Sequence, residues 1–198
     1  MNYYPYNPNI GQTIQTNCKG INVDQSFLAH FQVSAATAVA GSNTAVLAAT
    51  ALTAATQAVT ANITNPAVPR NIKIIGNAAG IAGNVVIKGT NYNGDVITET
   101  IVLNGITAVE GSKAFKTVTE IDLPIETHAG TDTVSVGFGE KLGLPYKLSH
   151  NTVLLAYLDN AKEATAPTVA VDSAILENNT IKLNSTLAGK VVDAYLIV

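Results

Sequence analysis

The sequence predicts a mainly β protein: an antiparallel β-sandwich, Ig-like or jelly-roll-like, with an extended N-terminal arm. Three observations carry this. Short apolar–polar alternations are punctuated by Gly, Asn and Pro turn signals from Asn65 onward. No strand–helix alternation, which an α/β fold requires, interrupts them. Thr, a strand-favouring residue, occurs 23 times in 198 residues.

The elements follow in chain order. Residues 1–30 read as the arm. Its start, MNYYPYNPNIGQ, holds Tyr3, Tyr4 and Tyr6 between Pro5 and Pro8. Proline fixes φ and lacks an amide proton, so this stretch is extended or turn-rich. Aromatic rings on a tether bury much area at small entropic cost. These five residues are therefore the candidate partner-binding positions.

Residues 31–64 form an Ala/Thr-rich segment, read as subunit-contacting. Ser34–Ala61 supports two readings. Thr44 or Ser42 could cap a short helix starting near Ala45. However, Val39, Val46, Leu47, Leu52 and Val59 are too sparse for a helical stripe, and the recurrent Thr favours strands. Small side chains at Ala48, Ala49, Ala51, Ala54 and Ala55 allow close backbone approach.

Residues 65–198 read as the sandwich domain. Strands are predicted at Asn71–Ile75, Val85–Gly89, Val96–Leu103, Thr117–Leu123 and Thr131–Phe138. Four more fall at Thr152–Leu158, Thr168–Val171, Thr180–Asn184 and Lys190–Val198. Asn93-Gly94 is a strong hairpin signal, because both residues tolerate positive φ. Asp159-Asn160, Asn178-Asn179 and Ala188-Gly189 mark further turns. In Thr131–Phe138, Val134, Val136 and Phe138 share one face, and Thr133 and Ser135 the other.

Composition narrows the function. Charged residues are 13%, about half the roughly 25% usual for soluble domains. Ten Lys and the lone Arg70 against 14 acids leave no basic footprint for nucleic acid. A single cysteine, Cys18, excludes an intrachain disulfide framework and a Cys-based zinc site. No long Leu/Ile/Val/Phe-dominated run suggests a membrane span, and the start lacks a secretory pattern. Before Arg70 the only charges are Lys19 and Asp24. Sheet edges are normally blunted with charge. So thinly charged a β surface implies association.

Catalytic chemistry has little support. His30, in FLAHF, reads as a packed residue. Glu126, His128 and Asp132 could form a cation site, but a polar loop explains them more simply. Ser149 and His150 are sequence neighbours, which on a strand point apart. Glu120 and Asp122 share a strand face, as a carboxylate pair for hydrolysis or Ca²⁺ would. No aromatic sugar platform is apparent, and a solvated face is the simpler reading. Gly76, Gly80 and Gly83 lack dinucleotide spacing, and Gly137-Phe138-Gly139 is no phosphate loop. Cys18 beside Lys19 reads as a small packed residue. The chain is accordingly read as non-enzymatic, without cofactor or metal.

Three phrases, VVIKGTNYNGDVITETIVLNG, AVEGSKAFKTVTEIDLP and DTVSVGFGEKLGLPYKL, resemble a recurrent module in structural proteins of tailed bacteriophages. NPAVPRNIKI (Asn65–Ile74) looks like the lead-in to that module. The resemblance spans residues 60–198, and more weakly 30–60. It implies a virion component assembled in the bacterial cytoplasm, foremost a head decoration or auxiliary capsid protein. Such a protein docks on the major capsid protein and on copies of itself, commonly as a trimer. Nucleic acid and membrane are not among the implied partners. A tail, neck or fibre component is the alternative. A carbohydrate-binding or host-recognition module, using loops Ile125–Thr131 and Thr90–Asp95 with Tyr92, is a further one.

Overall fold

A computed structural model describes residues 13–24 and 26–198. It is mainly β and sandwich-like, and every strand pairing is antiparallel. The strands are β1 (Thr13–Gln15), β2 (Asn22–Asp24), β3 (Leu28–Val33), β4 (Ser42–Ala51), β5 (Gln57–Val59), β6 (Arg70–Gly76), β7 (Asn84–Thr90) and β8 (Val96–Val102). They continue with β9 (Val109–Phe115), β10 (Thr117–Leu123), β11 (Thr133–Gly143), β12 (Val153–Leu158), β13 (Ala161–Lys162), β14 (Thr168–Ala170), β15 (Thr180–Lys182) and β16 (Val192–Ile197). One 3₁₀ turn, Leu176–Asn178, lies between β14 and β15.

Beyond the β1–β2 hairpin there are three sheets. The first runs β5-β10-β7-β8. The second runs β14-β15-β11-β6-β9, with β4 also on β11. The third runs β13-β12-β16-β3. Two apolar cores join them. Ile87, Ile97, Ile101, Val118 and Ile121 of the first sheet meet Val46, Leu47, Ile72, Ile74, Phe115, Val134, Val136 and Phe138 of the second. Phe31, Val33, Leu158, Val192, Ala194 and Leu196 of the third sheet meet Leu142 and Ile181 of the second. Strand β11 thus lines both cores.

A disruption in β11 separates the two halves. Phe138 pairs with Ile72 and Leu142 with Arg70, so β11 carries two extra residues there. A Cβ at Gly139 would overlap the Asn71 amide. The fully buried Asn71 occupies that space. Its Oδ1 accepts the Lys141 N–H at 3.0 Å, replacing a lost ladder bond.

The turn chemistry follows the sequence. Asn93-Gly94 closes the β7–β8 hairpin, with Gly94 at φ +92° and Asn91 Oδ1 accepting the Asn93 and Asp95 N–H groups. Asp159 and Asn160 both take positive φ between β12 and β13, as a type I′ turn requires.

The early chain is more integrated than its composition suggests. Strands β3 and β4 lie inside the second and third sheets' pairing, and residues 34–61 contain no helix. The potential cap Ser42 begins a ten-residue strand instead. Two register breaks against β11 explain why only Val46 and Leu47 of β4 are fully buried. Strand β9 is absent from the sequence reading. Gly111, Glu110 and Lys113 mask its alternation.

Candidate functional site

The outer face of the third sheet gathers the chemistry that sequence distance hides. Along β3, Phe31 and Val33 are buried, so Leu28, His30 and Gln32 point outward. Along β16, Val192, Ala194 and Leu196 are buried, and Asp193, Tyr195 and Ile197 point outward. Leu155 and Tyr157 of β12 join them. Register sets these residues in rows. Leu28 lies beside Ile197; His30 beside Tyr195 and Leu155; Gln32 beside Asp193, Tyr157 and Lys162.

The polar groups on this face satisfy one another. Asp193 Oδ1 lies 2.7 Å from His30 Nε2 and accepts Gln32 Nε2 at 2.8 Å. The His30 ring stacks on Tyr195 at 4.7 Å and 7°, and Tyr157 meets Tyr195 edge-on at 6.3 Å. Around them Leu28 is 64% exposed and Leu155 37%. The result is a hydrogen-bonded, partly aromatic plateau with an apolar margin. It can bury area and direct Tyr hydroxyls to a partner. It holds no nucleophile with an activating base.

His30 is therefore not a packed core residue. It stands half-exposed on this face, because its place in the alternation is outward. The sequence signal was available in DAYLI, where Asp193, Tyr195 and Ile197 alternate with apolar neighbours. Cross-strand register was not.

The other candidates are scattered. Tyr3, Pro5, Tyr4, Tyr6 and Pro8 lie outside the described residues. Glu126, His128 and Asp132 share one loop, but their groups bond the loop itself. The buried Asp132 carboxylate accepts the Thr127 N–H at 2.6 Å and the His128 N–H at 2.7 Å, with His128 Nδ1 at 2.9 Å. Burial alone would raise its pKa; the hydrogen bonds from His128 and Thr127 outweigh that and hold it below the usual carboxylate range. Glu126 accepts the Gly130 N–H. Among the described residues no group of three His, Cys, Asp or Glu is placed to hold a metal ion.

Glu120 and Asp122 do share a face. Lys88 Nζ bridges them, at 2.8 Å and 2.9 Å, and its pKa is raised by those two bonds. Ser149 and His150 are not on a strand, and their side chains do meet, Oγ to Nδ1 at 3.0 Å. Both are exposed, and among the described residues no carboxylate orients the ring. Cys18 is exposed in the β1–β2 turn rather than packed. Gly80 and Gly83 take positive φ in the loop after β6. Ala48 and Ala49 line a groove of about 590 Å³ beside Ala58–Asn62. Tyr92 lies in the β7–β8 hairpin turn, partly exposed.

No family model, curated protein or solved structure matches this chain.

Proposed function

We propose that this chain is a non-enzymatic structural subunit of a tailed-phage virion, foremost a decoration or auxiliary head protein that docks on the shell. The outer face of the third sheet carries the reading. Its Asp193 carboxylate is bonded by His30 and Gln32, its rings pack together, and exposed Leu28 and Leu155 flank them. Such a surface loses little on desolvation and gains from burial. The resemblance of VITETIVLNG and its neighbouring phrases to phage structural proteins supports the same reading. Many weak contacts on a shell act together through avidity. Binding only the intact shell stabilises it by mass action.

Co-sedimentation with separated phage heads and tails tests this. Binding to heads, weakened at least tenfold by Tyr195→Ala/Leu155→Ser, is the expected result. Binding to tails alone selects the tail or neck alternative. Binding to neither overturns the proposal.

The aromatic cluster also supports a second reading, a carbohydrate-binding module. Sugar stacking uses an open ring face, whereas one Tyr195 face is occupied by His30. Saturable binding on a glycan array would favour this reading over docking.

A further inference from the structure

Among the described residues, every long sheet edge but one carries some protection, and these protections use few charges. Strands β5, β13 and β14 are only three, two and three residues long. The edge of β4 is bulged, and Thr64 N–H and Gln57 Nε2 donate to its Val46 and Ala51 carbonyls. On β8, the Thr98 carbonyl accepts Lys113 Nζ at 3.0 Å. On β9, Glu99 Oε1 accepts the Ser112 N–H at 2.7 Å and the Lys113 N–H at 3.3 Å. These are the usual protections: shortness, bulges and charged side chains.

Strand β3 has none of them. It is six residues, LAHFQV, without Lys, Glu or Pro, in unbroken register with β16. Its hydrogen-bond phase is fixed by Phe27 and Val198, which exchange both N–H···O bonds at 2.7 Å and 2.9 Å. In an antiparallel ladder, bonded and non-bonded pairs alternate. Ala29, Phe31 and Val33 therefore bond to β16. The backbone N–H and C=O of Leu28, His30 and Gln32 point away from it. Among the described residues nothing pairs with them.

We propose that β3 pairs antiparallel with β3 of a second copy, about a two-fold axis through His30. This rests on the reading of the chain as a docking subunit, and specifies one of its contacts. The register is self-complementary. His30 faces His30 of the other copy, and each Leu28 faces a Gln32. Three bonded pairs, two bonds each, give about six backbone hydrogen bonds. The facing Leu28 and Gln32 side chains carry no charge, and each His30 keeps its own Asp193 partner. Leu28 gains cover from the facing Gln32. The two third sheets become one continuous sheet of eight strands. Six residues span about 20 Å. A seam that short lies at the low end of interface sizes, below about 1,200 Å². The dimer is therefore weak and concentration-dependent, suited to a surface where many copies are held close.

Sedimentation equilibrium and amide exchange on the full chain test this. The expected mass rises toward a dimer with concentration, and the Leu28, His30 and Gln32 amides gain protection in step. His30→Pro removes an outward N–H that the β16 ladder does not use, so it weakens the dimer at least tenfold. Leu28→Lys/Gln32→Lys sets Lys against Lys in the seam, leaves the backbone intact, and weakens it likewise. Dimers or trimers unaffected by both variants overturn the proposal. So do amides unprotected at every concentration. Protection that is independent of concentration and lost on removing residues 1–12 also overturns it, assigning the edge to the chain's own N-terminal segment. A chain that stays monomeric yet co-sediments with phage heads refutes the seam alone; a dimer that binds no particle refutes the docking reading alone.

Discussion

Replacing Arg70 tests how this fold tolerates a charge between its two cores. Arg70, the only arginine, is 1% exposed. Nη1 donates to the Val39 carbonyl at 2.7 Å, and Cζ lies 4.5 Å from the Phe138 ring centroid. Nε and Nη2 have no partner among the described residues. Burial pushes the guanidinium pKa well below its ordinary value, to about 10, against the attraction of Glu140. That fall corresponds to about 3 kcal/mol against the charged form. A base depressed in the fold carries this penalty at every pH below its folded pKa, and sheds it only as pH climbs from there toward the ordinary arginine value. Substitution, not titration, is therefore the probe. Met has similar length and can contact Phe138 through sulfur, for about 1 kcal/mol. It forfeits about 2 kcal/mol of cation–π attraction and about 1.5 kcal/mol of charged hydrogen bond. Removing the 3 kcal/mol penalty offsets these losses. Arg70→Met should thus be neutral to within about 1 kcal/mol. Arg70→Ala, which leaves a cavity, should lie about 3 kcal/mol below Arg70→Met. Urea unfolding reads both through the midpoint at constant slope. Loss of more than about 3 kcal/mol in Arg70→Met would refute the reasoning, because only a well-paired guanidinium is worth that much.

Three further outcomes are expected. A Cβ at Gly137 would overlap the Ser42 carbonyl of β4, so Gly137→Ala should cost about 1–3 kcal/mol; an unchanged melting temperature would show that β4 can shift freely. Asp132 is held below its ordinary pKa by its loop bonds, so its contribution is present above about pH 4 and lost as pH falls through the folded value. Asp132→Asn should lower stability at pH 7 and flatten the acid limb of urea midpoints measured from pH 6 to 3. An acid limb as steep as the parent's would remove Asp132 from it. Ile121→Ala in one core and Ile181→Ala in the other, both fully buried, should each cost about 2–5 kcal/mol. Because β11 lines both cores, each should still unfold in one transition. Amide protection lost from only one half would show the halves to be uncoupled.

The strands beyond Asn65 were legible because alternation survives where one face meets a core. Val134, Val136 and Phe138 are buried as read, and the Asn93-Gly94 and Asp159-Asn160 turns fall where their φ preferences demand. Strand β9 was not legible. Its outward Glu110 and Ser112 serve neighbours rather than a pattern, and Gly111 admits the Glu99 carboxylate, which a Cβ would displace. Strand β4 was ambiguous because bulges dilute its apolar period. The site was barely legible. His30, Tyr157 and Tyr195 lie on three strands, and only pairing register, a property of the closed sheet, brings their rings together.

Low charge invites a general inference of stickiness, which the edges of this fold narrow. The Ala/Thr-rich β4, ten residues without a charge, is bulged and bonded by Thr64 and Gln57. Two charges, Glu99 and Lys113, bond backbone groups of the facing β8 and β9 edges across the gap between sheets. One carboxylate used in this way protects two amides, so few ions suffice. The demand for a partner then falls on the one long edge without such a device and on the face beside it. Both belong to β3 and its sheet, where backbone groups unpaired among the described residues and an aromatic plateau meet at Leu28 and His30. A molecule that spent its charges closing its other edges associates in a defined direction rather than indiscriminately. Lysines at both Leu28 and Gln32 should therefore weaken self-association at least tenfold, whereas a lysine at Thr100, on the far sheet, leaves it intact.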